Sequence, residues 1–223
     1  MPRYLVLIIA AIIIFASCQG SNLVQHPSTW RFVFITYRQT QIPGWPEAKI
    51  PQYVRDGDEA AQLLKNWLPQ YSVVVDSVYT DIPVQKVTKY DKNSICKTEY
   101  YALGPGDAPV PPGYHAYVGF WSPPSGMPTC AYGWAWFGPN WAQVYYLGSS
   151  RAYEGLIHEL AHLVEWHAKR LGYDVVSPDD APKLGYKCEP IVGGCTWLRF
   201  LQDYFTGAFN GAIPKQFWQQ GRS

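Results

Sequence analysis

The chain reads as an α+β domain, and three observations say so. Short segments dense in valine, threonine and aromatic side chains recur along its first part. A long amphipathic helical pattern then spans roughly residues 150–171, and a second helical pattern, not another strand, follows it. The order is strand, helix, several strands, long helix, loop, helix. No internal repeat or second composition appears, so residues 18–223 are expected to form one domain.

Residues 29–37 (TWRFVFITY) alternate and are rich in β-branched and aromatic residues, which predicts a strand. Asp56-Gly57-Asp58 opens a helix that runs to Leu68, with Ala60, Leu63, Leu64 and Trp67 on one face and Pro69 as its stop. Residues 71–79 form a valine-rich second strand. The stretch 81–101 is ambiguous, with an irregular strand around 84–87. Two loops, 104–113 (GPGDAPVPPG) and 122–128 (SPPSGMP), flank a strand at 114–121. Short strands at 134–137 and 143–147 are joined through Gly138-Pro139-Asn140. In the long helix Ser149-Ser150 offers an N-cap, Glu154 lies in the first turn, and Leu156, Ile157, Leu160, Ala161, Leu163, Val164 and Ala168 recur at helical spacing. Lys169 and Arg170 suit the negative end of the dipole, and Gly172 suits a left-handed stop. A polar loop reaches Gly194, a helix runs from Thr196 to about Phe205, and the tail carries Trp218.

The middle of the long helix reads His158-Glu159-Leu160-Ala161-His162. Two histidines four apart project from one helix face, which places both imidazoles on a single Zn²⁺ with Glu159 beside them. Zinc in a catalytic site takes three protein ligands and one water, whose pKa falls toward ~7. Glu159 is the expected general base for that water and the later proton donor to a leaving amine. The expected activity is hydrolysis of peptide bonds in a peptide or protein substrate.

With this motif the chain resembles the zincin metallopeptidases. The resemblance covers roughly residues 29–205 and rests on the five-residue motif. It implies a twisted mixed sheet, a backing helix, an edge strand over the cleft supplied by residues 130–147, and the motif helix beneath. The edge strand would dock an extended peptide by backbone hydrogen bonds. The metzincin branch is excluded: its glycine position is Glu165 here, its third histidine is Ala168, and both methionines, Met1 and Met127, precede the motif.

The third ligand is therefore sought elsewhere. His167 lies about 180° from His158 on a continuous helix, so it shares the metal only if the helix breaks. Glu165 is on the correct face but roughly 10 Å along the axis from His158, which suits support of the site better than ligation. The downstream acids are Asp174, Asp179, Asp180, Glu189 and Asp203. Asp203 ranks first, because it sits on a mostly apolar helix where an acid needs solvent, a partner or a metal. Arg199 nearby offers a plain ion pair instead, and Glu189 and the pair Asp179-Asp180 stand behind it. The chain also resembles plant-type basic secretory proteins, which carry the same motif followed shortly by Trp, as Trp166 is here. They have a later Ala-Asp-Tyr helix comparable to Gln202-Asp203-Tyr204. That resemblance favours Asp203, although the acid they place one turn earlier is Arg199 here. Tyr186 and Tyr204 are the phenols available as oxyanion donors; His26 and His115 read as surface residues.

Export is expected. Met1-Pro2-Arg3 precedes an apolar or aromatic run over 4–16, too short for a comfortable membrane span and right for the core of a signal peptide at 1–17. Phe15-Ala16-Ser17-Cys18 resembles a bacterial lipobox, so lipid tethering through Cys18 and free secretion both stay open, as does an uncleaved anchor. Cys18 aside, the chain has Cys96, Cys130, Cys188 and Cys195, an even number that suggests two disulfides, Cys96–Cys130 and Cys188–Cys195. The formal charge is +1, with no basic run, which argues against nucleic acid as a partner. A monomer is expected. Two alternatives remain: a cell-wall or carbohydrate-binding module using the aromatic stretch 114–146, or a zincin fold without activity.

Overall fold

A computed structural model describes residues 27–38, 50–80, 86–93, 96–123, 126, 128–129, 133–145, 152–180 and 196–219. In chain order the elements are β1 (Trp30–Tyr37), α1 (Ile50–Trp67), β2 (Val73–Thr80), β3 (Thr88–Tyr90), β4 (Tyr100–Ala102), β5 (Ala116–Trp121), β6 (Gly133–Trp136), β7 (Trp141–Tyr145), α2 (Ala152–Arg170), α3 (Trp197–Thr206) and α4 (Lys215–Gln219). The class is α+β with a mixed sheet, as expected.

The five-stranded sheet has the order β2-β1-β5-β7-β6. β1 lies parallel to both β2 and β5, and β5 is parallel to β7. β6 alone runs antiparallel, paired to β7. The turn between them holds Asn140 at φ 55°, a left-handed value that Asn tolerates better than other side chains.

β1 forms where the sequence predicts a strand, and both of its faces are buried. Trp30, Phe32 and Phe34 face the helices, while Val33, Ile35 and Tyr37 pack with Leu103, Trp121, Trp141 and Tyr145 on the other side. A central parallel strand covered on both faces has no solvent side to display, so its sequence is nearly continuous in apolar residues. β6 divides its faces differently. Ala135 meets the helix layer, whereas Trp134 and Trp136 pack with Tyr90 and Tyr100 of the β3–β4 pair.

α1 begins at Ile50, six residues before the predicted start at Asp56. Pro51 is tolerated in a first turn, and Asp56 sits inside the helix, accepting from Gln52 Nε2 one turn back at 3.1 Å. α2 runs under the sheet with Leu156, Ile157, Leu160, Ala161, Leu163 and Val164 all in the main core. Each fully buried Leu or Ile contributes about 1.5–3 kcal/mol, so the face opposite the histidines fixes the helix in place. α2 stops where expected: Gly172 has φ 86°, Tyr173 N–H reaches Ala168 O at 3.0 Å, and Gly172 N–H reaches Lys169 O at 3.0 Å. The Ser149-Ser150 cap lies outside the described residues.

Candidate metal centre

Helix spacing sets the first part of the site. His158 and His162 stand one turn apart on α2, with Nε2 atoms 3.2 Å from each other. The second part comes from the turn after α2. Beyond Gly172 the chain doubles back along the helix, and Ser177-Pro178-Asp179-Asp180 closes a turn in which Asp180 N–H donates to Ser177 O at 2.9 Å. Asp179 is thereby brought over the histidines, with Oδ1 3.4 Å from His158 Nε2 and Oδ2 3.5 Å from His162 Nε2. The three donor atoms lie within 4.8 Å of one another.

These separations can be tested against a metal. Tetrahedral zinc with bonds of about 2.0–2.1 Å requires donors about 3.3–3.4 Å apart. The two Nε2 atoms, 3.2 Å apart, match that value, and the Asp179 carboxylate turns a different oxygen toward each ring, Oδ1 3.4 Å from His158 and Oδ2 3.5 Å from His162. Two imidazoles and a carboxylate are also a usual zinc donor set. The histidine side chains are 17% and 14% exposed and the Asp179 side chain 64% exposed, so the group is walled on the helix side and open on the other.

His162 is oriented from behind. Its Nδ1 lies 3.6 Å from Glu165 Oε2, and Glu165 Oε1 is 2.5 Å from Lys169 Nζ, so a chain of alternating charge climbs one face of α2. Burial pushes the Glu165 carboxyl up, but His162 and Lys169 outweigh it and hold its pKa below the ordinary value. Burial pushes His162 down, and Glu165, Glu159 and Asp179 together bring it above the ordinary value. A carboxylate on the far nitrogen of a ligating histidine fixes ring and tautomer. His158 Nδ1 is buried with no hydrogen-bond partner among the described residues, and the Trp197 ring lies over its imidazole with centroids 5.2 Å apart.

Glu159 is buried beside the pair, 6% exposed. Burial pushes its carboxyl up to about 7, against the pull of His158 and His162 and with the help of Asp179. Its side chain lies against the backbone of β6, where a Cβ on Gly133 would come within 2.3 Å of Oε1. A carboxyl group so placed can accept and return a proton near neutral pH.

The other expected residues fall elsewhere. Asp203, ranked first as third ligand, is not brought to this group: its Oδ1 is 3.0 Å from Arg199 Nε, one helical turn earlier on α3. The ion pair available at that spacing is the one that forms. Tyr204 is fully buried and its hydroxyl donates to Val176 O at 2.7 Å, so it is no oxyanion donor in this arrangement. His167 faces away from the group, donating from Nε2 to His115 O at 3.1 Å. His115 is not a free surface residue, since its Nδ1 accepts from Arg31 N–H at 3.0 Å. Glu189, Tyr186 and His26 lie outside the described residues, as do Cys18, Cys130, Cys188 and Cys195. Cys96 is buried and disulfide-bonded. Two residues of the site went unforeseen. Gly133 carries no local signal, and Trp197 could have been found only as an aromatic at the start of a helix following the acid-rich loop.

No family model matches the sequence, and no curated protein matches it. Among solved structures the chain is similar to the crystal structure of archaemetzincin from Methanopyrus kandleri, at 14% identity and a TM-score of 0.36, over 90% of this chain and 97% of that one. A likeness of that size assigns neither family nor activity.

Proposed function

We propose that the protein is an exported zinc-dependent metallopeptidase of zincin type, with His158, His162 and Asp179 as metal ligands and Glu159 as general base. The observation that carries this reading is the cluster of two imidazole nitrogens and a carboxylate oxygen within 4.8 Å of one another, with a buried carboxyl group next to it. Bound there, zinc supplies Lewis acidity and lowers the pKa of a water ligand toward ~7.

The chain's own residues do the rest. Glu159 accepts the proton of the attacking water and returns it to the leaving amine. Gly133 lets the edge strand β6 approach close enough to hold that carboxyl group, and the edge of β6 that pairs with no strand among the described residues is where an extended substrate would pair. Glu165 and Lys169 keep the His162 ring aimed at the metal. Export is supported by the signal-like segment at 1–17 and by the bonded state of Cys96; lipid attachment at Cys18 belongs to the same proposal. Within the aromatic stretch Trp121, Trp141 and Tyr145 are buried, which gives those rings a core role and favours the peptidase reading over a sugar-binding one.

The test is metal content with hydrolysis. The protein should bind one zinc and cleave an unfolded protein substrate. Glu159→Gln should keep the zinc and lose the cleavage, because the glutamate is not a ligand. A parent that holds no zinc, or a Glu159→Gln variant that cleaves as well as the parent, defeats the proposal.

A further inference from the structure

The donor that completes the site is the one least held by packing. His158 and His162 ride on a helix whose inner face is core, whereas the Asp179 side chain is 64% exposed and lies in a turn. The backbone that presents this carboxylate therefore bears directly on where it stands.

That backbone is clamped three residues upstream. Val176 N–H donates to Gly211 O at 2.8 Å, and Val176 O accepts from the Tyr204 hydroxyl at 2.7 Å. Both polar groups of one residue are thus tied down, the carbonyl to α3 and the N–H to the stretch between α3 and α4, and the neighbouring Val175 is buried. Tyr204 is itself immobilised: its ring packs against Phe200, Phe205 and Phe209, and its carbonyl accepts from Ile213 N–H at 3.0 Å. On the opposite side Gly211, at φ 90°, makes room for the valine, since a Cβ there would stand 2.7 Å from Val176 Cγ1. The turn that starts at Ser177 then places Asp179.

We infer that Tyr204 is a positioning residue for the metal site: through the Val176 carbonyl its hydroxyl sets the segment that presents Asp179 to the two histidines. The inference rests on the proposed ligand set. Its physical basis is pre-organisation: the ordering cost of segment 174–180 is met during folding, so it is not charged against metal binding.

The test is zinc affinity, measured by competition with a chelating dye on the folded protein, for the parent, Tyr204→Phe, Asp179→Ala and the double variant. Phenylalanine keeps the ring packing and removes only the hydroxyl. Tyr204→Phe should weaken zinc about tenfold or more, within the ~10–100-fold range for residues that support a ligand. In the Asp179→Ala background the same change should alter affinity by less than about twofold, because the tyrosine acts through Asp179. Gly211→Ala, which presses on Val176 from the other side, should show the same dependence on Asp179. A purely structural role would lower the melting temperature of the metal-free protein and leave the affinity alone. Unchanged zinc affinity in Tyr204→Phe overturns the inference, and so does a loss that persists without Asp179. A parent that binds no zinc would remove the metal-site reading itself, a result visible before any tyrosine variant is made.

Discussion

Glu159 and Gly133 are in direct contact: a Cβ added at Gly133 would lie 2.3 Å from Oε1 and 2.5 Å from Cδ of the glutamate, and the nearest atoms it would meet all belong to that side chain. β6 carries Gly133 and Ala135 at alternate positions to Trp134 and Trp136. Small residues toward α2 and large ones toward the β3–β4 pair allow the strand to approach the helix closely.

Gly133→Ala therefore displaces the Glu159 carboxyl group without touching the metal donors. Hydrolysis should fall by about 10–100-fold, the scale on which a misplacement of ~1 Å acts. Zinc affinity should stay within about twofold, as the glutamate is not a ligand. A variant with parental kcat/KM would show that the carboxyl group does not need this contact.

The two candidate third ligands can be separated in one titration. Asp179→Ala should weaken zinc by at least the ~10–100-fold typical of losing a supporting residue. Asp203→Ala should leave zinc affinity unchanged, because that carboxylate is held by Arg199 on α3 and not by the metal group. The reverse ranking would return the metal to α3.

The difference between those two acids shows what the sequence could and could not convey. His158, Glu159 and His162 stand together because helix geometry converts a spacing of four into one face, and nothing beyond the local pattern is needed. Asp203 was favoured because it too lay on a recognisable helix. Asp179 lies in a turn, where spacing has no period, and its place over the histidines depends on how Val176 is tied to residues 204 and 211. Such long-range ties leave no local trace. The same limit applies to the fold. β1, β2, β5, β7 and α2 were legible within a few residues, whereas β4 and α4, with three and five residues, are too short to show a periodicity. The parallel pairing of β1 with both neighbours was not legible either, because it is set by crossovers and not by any one segment.

Cys96 is disulfide-bonded, and the remaining cysteines lie outside the described residues. Non-reducing peptide mapping of the protein should find Cys96 joined to Cys130 and Cys188 to Cys195. The second pair would close a short loop around Gly193-Gly194, just ahead in sequence of the Thr196 cap of α3. A free thiol at Cys188 or Cys195 would leave export resting on the signal segment and Cys96 alone.

Acid should loosen the fold from the far end of α2. The His167 ring is packed against Trp30 and Trp166, and its Nε2–H donates to His115 O at 3.1 Å. Burial pulls its pKa down to about 4, with His115 and Arg170 adding to the effect and the His115 carbonyl opposing it. Burial lowers His115 as well. In the unfolded chain a histidine titrates near 6.5, so between about pH 6.5 and 4 the unfolded state binds the proton and the native state does not. The stability held by a neutral His167 is thus complete above about pH 6.5 and lost as pH falls toward 4, a difference of about 3 kcal/mol. His167→Gln keeps a donor for the His115 carbonyl and cannot charge. Denaturant unfolding of both proteins at pH 7 and pH 4.5, with chelator present so that the metal ligands contribute equally, should show a smaller acid loss in the variant. Equal losses would mean that His167 is protonated in the native state at ordinary pH, or that the two tryptophans open to admit the charge.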